Sequence, residues 1–338
     1  MSDGVSNGYR QVGTSGLVIS ELVIGTAAFG KAGRIADGQD GADGIVRAAL
    51  DLGVTTFDTA DSYGDQPGDS ETILGRALRG RRDEAVVSTK FGTRALASSA
   101  SRGTLGSRAN VRRAVEDSLR RLGTDWIDLY QIHTPDPATP IEETLGVLDD
   151  LVREGKIRYA GASNLPAWRL ADAHHVARTG RLAGFVSVQV EYNLLWRAPE
   201  RDLLPAVRHY GLGLLPYFPL QNGLLTGKYT RTEAPASGKI TRFKPHLLES
   251  APWDALDRLH EFAAARSITP IHVAYGWLLA QPGVSGLVTG ATTVAQVQQN
   301  AAATGWLPTP DEEAELRALL PGELSGKPGR HAPAAAAA

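Results

Sequence analysis

Four side chains in the first half of the chain are able to carry out acid–base chemistry, and they follow three successive strand-like runs. Asp58 ends the second such run and Tyr63 lies shortly after it, Lys90 follows the third run, and His133 follows the fourth. In a parallel barrel the carboxyl ends of all strands meet on one face, where active sites lie. We therefore predict that these four side chains share one site.

The four residue types suit the transfer of a hydride to a carbonyl carbon. An ordinary tyrosine has a pKa near 10, and a neighbouring lysine ammonium is expected to lower it and make Tyr63 a better proton donor at neutral pH. Asp58 is expected to hold Lys90 in place. A neutral histidine is able to donate a hydrogen bond to a substrate oxygen and orient it. Each residue alone has an ordinary structural explanation, and only their coincidence on adjacent strand ends points to catalysis.

Eight short β-rich runs alternate with helical segments, which indicates a parallel sheet. The eight runs are Glu21–Thr26, Thr55–Thr59, Ala85–Thr89, Ile127–Ile132, Ile157–Ala162, Val186–Val190, Gly213–Pro216 and Gly286–Gly290. Several are almost continuously apolar, as expected of strands covered on both faces.

The intervening segments predict helices with one buried stripe each, as in Asn110–Leu122 and Ile141–Glu154. Gly123, Gly155 and Gly180 lie where helices are expected to end. Ahead of the first run, a Thr-Ser-Gly turn between two short apolar stretches predicts a β-hairpin over residues 9–20.

This pattern predicts an α/β, single-domain (β/α)8 TIM barrel over residues 9–320, with an N-terminal β-hairpin and loop insertions at the C-terminal face. A doubly wound dinucleotide fold would show G-x-G-x-x-G after an early strand, and the chain has none. The stretch Gln221–Pro252 is expected to be an insertion that clamps a ligand. Residues 1–8 are expected to be disordered and 321–338 to form a flexible tail.

Composition narrows the class of protein. The formal net charge of -2 disfavours a nucleic-acid binder. There is no cysteine, which excludes disulfides and thiolate metal sites, and we predict no metal site of any kind. No apolar stretch is long enough for a membrane span, and the polar start lacks the features of a signal peptide. A cytoplasmic enzyme is therefore expected.

Six segments of the chain carry a family resemblance: FDTADSYG (57–64), STKFG (88–92), SLRRLGTDWIDLYQIH (118–133), YAGASN (159–164), YFPLQNGLLTGKY (217–229) and GATTVAQVQQN (290–300). In order and spacing they resemble the aldo-keto reductase superfamily from about residue 9 to residue 320. The branch that the chain is similar to includes bacterial aldose and keto-sugar reductases and the potassium-channel β subunits.

The resemblance implies a (β/α)8 barrel that transfers a hydride from NADPH to an aldehyde or ketone. Its catalytic tetrad falls on Asp58, Tyr63, Lys90 and His133, in agreement with the interpretation of the strand ends. Tyr63 is then the general acid in reduction, Lys90 and Asp58 tune its acidity, and His133 helps to polarise and orient the carbonyl.

The resemblance also implies a site for NADP(H), distributed over the second half of the chain. Its positions are Ser163, Asn164 and Gln189 at the nicotinamide carboxamide, Tyr217 on the nicotinamide ring, Phe218, Leu220 and Lys228 at the pyrophosphate, Arg242 as a further clamp, and Gly290, Thr292, Gln296, Gln299 and Asn300 around the 2′-phosphate and adenine. Many relatives have arginine at the position of Thr292. The threonine hydroxyl is expected to bind a 2′-phosphate less strongly than arginine, which leaves NAD(H) as an alternative cofactor. Residues after Gly290 are expected to open a helix, whose N-terminus is a natural phosphate site.

The substrate is expected to be a small carbonyl compound, and its pocket is less well defined by the sequence. Phe29 follows the first run and Trp196 follows the sixth, so both are pocket candidates. Free aldehydes or ketones compete with keto-sugars carried on a nucleotide, which would need cations for a diphosphate. Four basic residues in two loops are available for that purpose: Lys31, Arg34, Arg94 and Arg102.

Two other functions stay open. A regulatory subunit would hold NADP as a sensor ligand and turn over slowly, as the channel subunits do, and the tetrad does not discriminate against this. A catalytically dead barrel is disfavoured because the tetrad is intact. A homo-oligomer is left open, since nothing in the sequence decides the oligomeric state.

Overall fold

The computed structural model describes residues 8–35, 38–93, 103–236 and 238–320. The expectations for residues 1–7 and 321–338, and those for Arg94 and Arg102, concern positions outside these ranges. All statements below refer to the described residues.

Eight parallel strands close into a barrel surrounded by helices, which confirms the predicted fold class. The barrel follows a two-stranded antiparallel hairpin, β1 and β2. The strands are β1 Tyr9–Gln11, β2 Val18–Ser20, β3 Leu22–Gly25, β4 Thr56–Asp58, β5 Val86–Phe91, β6 Ile127–Ile132, β7 Ile157–Ser163, β8 Phe185–Glu191, β9 Gly213–Tyr217 and β10 Leu287–Gly290. Around the barrel each strand neighbours the next in sequence, and β10 closes against β3.

The α-helices lie between the strands and in the segments that follow β9 and β10. They are α1 Gln39–Asp51, α2 Asp69–Ala77, α3 Arg108–Leu122, α4 Ile141–Arg153, α5 Ala167–Gly180, α6 Leu203–Tyr210, α7 Lys239–Phe243, α8 His246–Glu249, α9 Trp253–Ala265, α10 Pro270–Leu279, α11 Val294–Ala302 and α12 Pro310–Leu319. The short helices α7 and α8 belong to the predicted insertion between β9 and the outer helices.

The predicted helix periodicity matches the buried faces. In α4 the side chains of Leu145, Leu148 and Leu151 are buried, at the three- and four-residue spacing of one helix face. Gly123 ends α3 with a φ of 63°, a left-handed conformation that costs glycine little.

Helix α5 ends at Gly180 as predicted, although the left-handed position is the next residue, Arg181, with a φ of 52°. The expected start of the helix after the last strand is wrong by a few residues. Gly290 is the last residue of β10, and α11 begins only at Val294 after its N-cap Thr293. The Thr293 side chain accepts a hydrogen bond from the Gln296 amide, which is the interaction that starts the helix there.

The N-terminal hairpin packs across the amino-terminal end of the barrel, opposite the predicted site. A small apolar cluster there is separate from the main core between sheet and helices; it comprises Val12, Leu17, Ile19, Val23, Leu129, Leu215 and Val288. The Thr14 amide at the hairpin tip donates to the Gly211 carbonyl, just before β9. The hairpin therefore seals one end, and the carboxyl end is left for a ligand.

Strand register brings the predicted polar residues to one level of the barrel. Asp58 pairs with Ser88, Lys90 pairs with Gln131, and Ser163 pairs with Gln189. None of the described helices combines the length and the apolar composition needed to span a bilayer.

Candidate active site

A buried ion pair lies at the floor of the carboxyl end. Lys90 Nζ lies 2.5 Å from Asp58 Oδ2 and donates a second hydrogen bond to the Thr59 carbonyl oxygen at 2.8 Å. The Lys90 side chain is fully buried and that of Asp58 is 3% exposed. An ammonium and a carboxylate buried so deeply are tolerable only because they neutralise each other and their remaining polar atoms are hydrogen-bonded.

Further buried side chains complete the hydrogen bonding of Asp58. Ser88 Oγ donates to Asp58 Oδ1 at 3.1 Å, and Gln189 Nε2 reaches the same oxygen at 2.9 Å from the other side of the barrel. Gln131 Nε2 in turn donates to Ser88 Oγ at 2.8 Å. We call Asp58, Thr59, Ser88, Lys90, Gln131 and Gln189 the buried polar network.

Tyr63 and His133 lie above this network. Lys90 Nζ lies 5.3 Å from the centre of the Tyr63 ring. The Tyr63 and His133 rings meet edge to face, with centroids 5.7 Å apart. The structure therefore brings together all four residues that the strand ends predicted, with a lysine, a phenol and an imidazole side by side.

The acidity of Tyr63 differs from the expectation. Burial raises the pKa of Tyr63 above its ordinary value of 10, and the opposing effect of the Lys90 ammonium only partly offsets it. Burial alone would lower the pKa of Lys90, but Asp58 and the other nearby acidic groups outweigh burial, and the pKa is raised. Both groups are therefore protonated at neutral pH, and Tyr63 has a proton to give.

Three residues assigned to the nicotinamide carboxamide lie along the wall formed by β7, β8 and β9. Asn164 Nδ2 donates to the His133 carbonyl and to Ser163 Oγ, both at 3.0 Å, and its Oδ1 accepts from the Tyr217 hydroxyl at 3.0 Å. Ser163 Oγ donates to the Gln189 carbonyl at 3.0 Å. Through Asn164 this wall is tied to His133, so the two halves of the site hold each other in position.

The backbone around the wall is strained at residues other than glycine. Asn164, Phe218, Gln221 and Asn222 have φ values of 59°, 54°, 43° and 59°. A left-handed conformation costs a residue with a side chain about 1 to 2 kcal/mol, and for a bulky residue such as Phe218 it is a marked outlier. Such strain often occurs at ligand sites, where the surrounding structure enforces it.

Basic side chains crowd around the exposed ring of Phe218 at the rim. Lys239 Nζ lies 4.8 Å from the ring centroid and Lys244 Nζ lies 5.2 Å from it. Burial, and then the nearby cations Lys244 and Arg34, lower the pKa of Lys239 to about 8. Glu191 is the acidic group that faces Lys239 and Lys244 here, and burial raises its pKa.

The rim continues into the loop after β3. The Arg34 guanidinium stacks on Phe243 at 3.7 Å from the ring centroid, and Arg242 lies over the same ring at 5.0 Å. Burial and the Arg242 charge lower the pKa of Arg34, and burial lowers that of Lys228. We call Lys31, Arg34, Lys228, Lys239, Arg242 and Lys244 the basic rim.

The residues assigned to the adenine end form a second group at the start of α11. Gln296 Oε1 accepts from both the amide and the hydroxyl of Thr292, at 2.8 and 3.1 Å, so an acceptor already occupies this helix end. Asn300 is buried beneath, where its Oδ1 accepts from Tyr275 at 3.2 Å. Gly290 and Gln299 are exposed.

The two pocket candidates differ in exposure. Phe29 is fully buried within the main core, so it presents no surface to a ligand in this conformation. Trp196 is partly exposed, and its backbone pairs with Asn193 in a tight turn. Leu220 is partly buried against the core near the strained segment.

Several residues at the site were missed by the sequence reasoning. Ser88 and Gln131 are buried polar residues inside strands, and buried polar side chains in an apolar strand are a signal that could have been used. Lys239 and Lys244 stand near Arg242 in the segment KITRFK, and only their density of positive charge marks them. Within the described ranges, no cluster of three or more His, Asp or Glu residues has the arrangement of a metal site.

Comparisons with known proteins agree with this geometry. The sequence model of the Aldo/keto reductase family matches residues 21–320. The chain belongs to the aldo/keto reductase family. This membership confirms the resemblance carried by the motifs, and it supports an oxidoreductase, since the family generally uses nicotinamide cofactors.

Some of its relatives are named as aldo-keto reductases and others as potassium-channel subunits. Aldo-keto reductase YhdN of Bacillus subtilis is 35% identical over 95% of this chain and 96% of its own length. A putative voltage-gated potassium channel subunit beta of Schizosaccharomyces pombe is 33% identical over 88% of each chain. Aldo-keto reductase AMT2 of Alternaria alternata is 34% identical over 91% of this chain and 90% of its own.

Proposed function

We propose that the protein is an NADP(H)-dependent reductase of aldehydes or ketones in which Tyr63 is the general acid. The observation that carries this proposal is the contact of Tyr63 with both a fully buried Lys90–Asp58 pair and the His133 ring. This arrangement combines a proton donor with a fixed cation and a hydrogen-bond donor, where charge develops on a carbonyl oxygen.

Tyr63 donates the proton. Its raised pKa keeps the phenol protonated in the resting enzyme, so the proton is available when the carbonyl oxygen becomes basic. The phenolate left behind is stabilised by Lys90, whose ammonium Asp58 holds in place. The hydrogen bonds around Asp58 are already formed without a ligand, so their dipoles are in place before the reaction.

His133 orients the carbonyl. Its ring meets Tyr63 edge to face, so a carbonyl oxygen placed between the two side chains is able to accept from both. The bond from Asn164 to the His133 carbonyl fixes the backbone that carries the imidazole.

The residues present fit a nicotinamide dinucleotide. When bound, this cofactor supplies the hydride to the carbonyl carbon. Ser163, Asn164 and Gln189 would hold its carboxamide and Tyr217 its ring, while the basic rim residues that follow β9, namely Lys228, Lys239, Arg242 and Lys244, would hold its phosphates. The fit rests on the cations: among the described residues, Lys228, Lys239 and Arg242 form no ion pair with a carboxylate, so a bound anion is able to neutralise them.

The phosphorylated cofactor is favoured over NAD(H) by the same observation. Burial, and then repulsion from the neighbouring cations, lowers the pKa of Lys239. A 2′-phosphate adds nearly two negative charges to those of the pyrophosphate and relieves more of this repulsion. Thr292 supplies a hydroxyl and an amide near Gln296 rather than an arginine.

The proton donor is tested by Tyr63→Phe, which removes one hydroxyl. Reduction of a panel of aldehydes and ketones by NADPH should slow by about a thousandfold, in the middle of the range for general acid catalysis, while NADPH binding is retained. Tyr210→Phe at the opposite end of the barrel is the matched control and should keep its activity. Full activity of Tyr63→Phe would refute the mechanism.

Cofactor choice is tested by titrating the protein with NADPH and with NADH while following tryptophan fluorescence. NADPH should bind at least about tenfold more tightly, a difference of roughly 1.4 kcal/mol. Equal affinities would favour an NAD-linked or dual enzyme. Tight NADPH binding with negligible turnover of every carbonyl tested would favour a regulatory subunit instead of a reductase.

A further inference from the structure

The loop that follows β3 is fastened to the loop that carries Tyr63. The Asp65 amide donates to the Gly30 carbonyl at 2.9 Å, and Asp65 Oδ2 accepts from the Ala32 amide at 2.9 Å. Asp65 thus uses its carboxylate to hold the backbone of the basic loop. Side chains on that loop are therefore held at a fixed place beside the catalytic tyrosine.

Arg34 on this loop is oriented but has no anionic partner among the described residues. The face of its guanidinium stacks on Phe243, 3.7 Å from the ring centroid, and stacking leaves the edge of the group with its N–H donors exposed to a ligand. No carboxylate in the described part of the chain pairs with it. An arginine held by its face with unused donors on its edge is arranged to bind a carboxylate or a phosphate through two hydrogen bonds.

A chain of contacts leads from Arg34 back to the catalytic tyrosine. Phe243 ends helix α7, which begins with Lys239, and Lys239 lies over Phe218. Phe218 meets Tyr217 edge to face at 5.0 Å between ring centroids. The Tyr217 hydroxyl donates to Asn164, Asn164 donates to the His133 carbonyl, and the His133 ring meets Tyr63 edge to face. One run of contacts therefore joins the β3 loop, the insertion and the end of β9, and it leads from Arg34 to Tyr63.

The charges near Tyr63 and near Arg34 differ. The Asp58 carboxylate neutralises Lys90, so the buried polar network presents polar groups without a net charge to a substrate carbonyl. The basic rim gathers cations around Phe218 and Phe243, and Glu191 is an acidic group that faces Lys239 and Lys244. Within the rim, Arg34 combines a guanidinium oriented by stacking with a place on the loop that is fastened to the Tyr63 loop.

We propose that the substrate is an aldehyde or ketone that carries a carboxylate or a phosphate, and that Arg34 binds this anionic group while the carbonyl lies at Tyr63. The proposal rests on the carbonyl reductase activity proposed above and adds the class of its substrate. In the reaction the reduced nicotinamide gives a hydride to the carbonyl carbon, Tyr63 gives a proton to the oxygen, and the product is the corresponding hydroxy acid or alcohol phosphate. The anionic group itself is not changed.

The substrate class is tested with pairs of aldehydes that differ only in charge. Succinic, adipic and suberic semialdehydes are each compared with their methyl esters, and glyceraldehyde phosphate is compared with glyceraldehyde, with NADPH as reductant. At least one acid should show a kcat/KM about tenfold or more above its ester, through a lower KM, because a charge-assisted bidentate contact is lost in the ester. The chain length of the semialdehyde with the highest kcat/KM indicates the distance between Arg34 and Tyr63. The glyceraldehyde pair shows whether the preferred anionic group is a phosphate rather than a carboxylate.

The role of Arg34 is tested by Arg34→Gln, with Arg47→Gln as a matched control on the exposed face of α1. Arg34→Gln should raise the KM of the preferred anionic substrate about tenfold, leave the KM of its neutral partner unchanged, and leave the NADPH dissociation constant from fluorescence titration unchanged. Arg47→Gln should match the parent enzyme in all three.

Three outcomes would overturn the proposal, and they are distinguishable. Equal reduction of the charged and neutral members of every pair would refute the substrate class but keep the reductase. Weaker NADPH binding by Arg34→Gln, with equal losses for both members of a pair, would assign Arg34 to the cofactor. Reduction of none of the compounds would overturn the proposed reductase activity and this inference with it.

Discussion

The buried polar network and the basic rim solve the problem of placing charge in opposite ways. In the network, Lys90 faces Asp58 at 2.5 Å, and Ser88 and Gln189 complete the hydrogen bonding of the carboxylate. In the rim, Arg34 and Lys239 make cation–π contacts with Phe243 and Phe218, and no carboxylate in the described ranges pairs with either of them.

The difference separates what the chain completes by itself from what it leaves for a ligand. A network whose charges are matched internally is costly to disturb and is already arranged for the transition state. Unmatched cations destabilise the free protein slightly, and an anion that arrives relieves this repulsion. On the function proposed above, the network would supply preformed chemistry, and the rim would set affinity and specificity.

The largest expected effect comes from breaking the network with Lys90→Met. This leaves the Asp58 carboxylate buried without its cation, so we expect the free energy of unfolding to fall by about 3 to 5 kcal/mol. Urea unfolding at neutral pH measures it. Lys156→Met is the control, because Lys156 pairs with Glu116 and Glu154 in a partly exposed position and should cost less than about 1 kcal/mol.

The double variant Asp58→Asn with Lys90→Met removes both charges and should recover part of the lost stability. If Lys90→Met is no more destabilised than Lys156→Met, the network is not the preformed neutral unit described here. Either single change is also expected to impair reduction, so stability is the measurement that isolates the charge balance.

Asp61 is the one carboxyl near the network that lacks this compensation. It is buried, its Oδ1 has no hydrogen-bond partner among the described atoms, and burial together with Glu71 raises its pKa from 3.8 to about 8. The folded protein therefore keeps a proton that the unfolded chain releases. Its contribution to stability is greatest below about pH 4 and is lost as the pH rises toward 8.

Asp61→Asn should remove this dependence. The variant and its parent should have similar stability near pH 4, and the variant should gain on the parent as the pH rises. The stability of the variant relative to the parent rises by at most about 1.4 kcal/mol per pH unit. The added amide donors need acceptors and offset part of this gain, so we expect the variant to be more stable than the parent by roughly 2 kcal/mol at pH 8. Urea unfolding across this range measures the difference, and a constant difference between the proteins would show that Asp61 is ionised throughout.

The sequence predicts the network residues better than the rim because strand order is a local pattern. Asp58, Lys90 and His133 each end an apolar run, and the parallel barrel rule brings such ends together without further information. The hydrogen bond from Gln189 to Asp58 joins residues 131 positions apart in the sequence, and it is predictable only when the closure of the barrel is known. The direction of the Tyr63 pKa was missed because burial, which dominates it, is not visible in a strand-end pattern.

The rim could not be predicted in the same way, since it depends on how irregular segments fold back. Lys239 lies in an insertion without periodicity, and its neighbour Arg34 is about two hundred residues earlier in the chain. Phe218 adopts a left-handed conformation that no local rule assigns to phenylalanine. Composition alone conceals the cluster, because the net charge of the whole chain is -2.

The smallest expected effect tests the rim through Lys239→Gln. Because the pKa of Lys239 is lowered to about 8, the free protein carries this charge at pH 7 and has mostly lost it at pH 9. An anion raises that pKa again, so NADPH binding near pH 8.5 should take up a fraction of a proton, which calorimetry in buffers of different ionisation enthalpy detects. Parent affinity should fall between pH 7 and pH 9, while Lys239→Gln should bind NADPH about tenfold more weakly at pH 7 and lose this pH dependence. The control Lys156→Gln should behave like the parent. If the NADPH affinity of the parent does not change with pH, Lys239 already has an anionic partner and the rim is less open to a ligand than its contacts indicate.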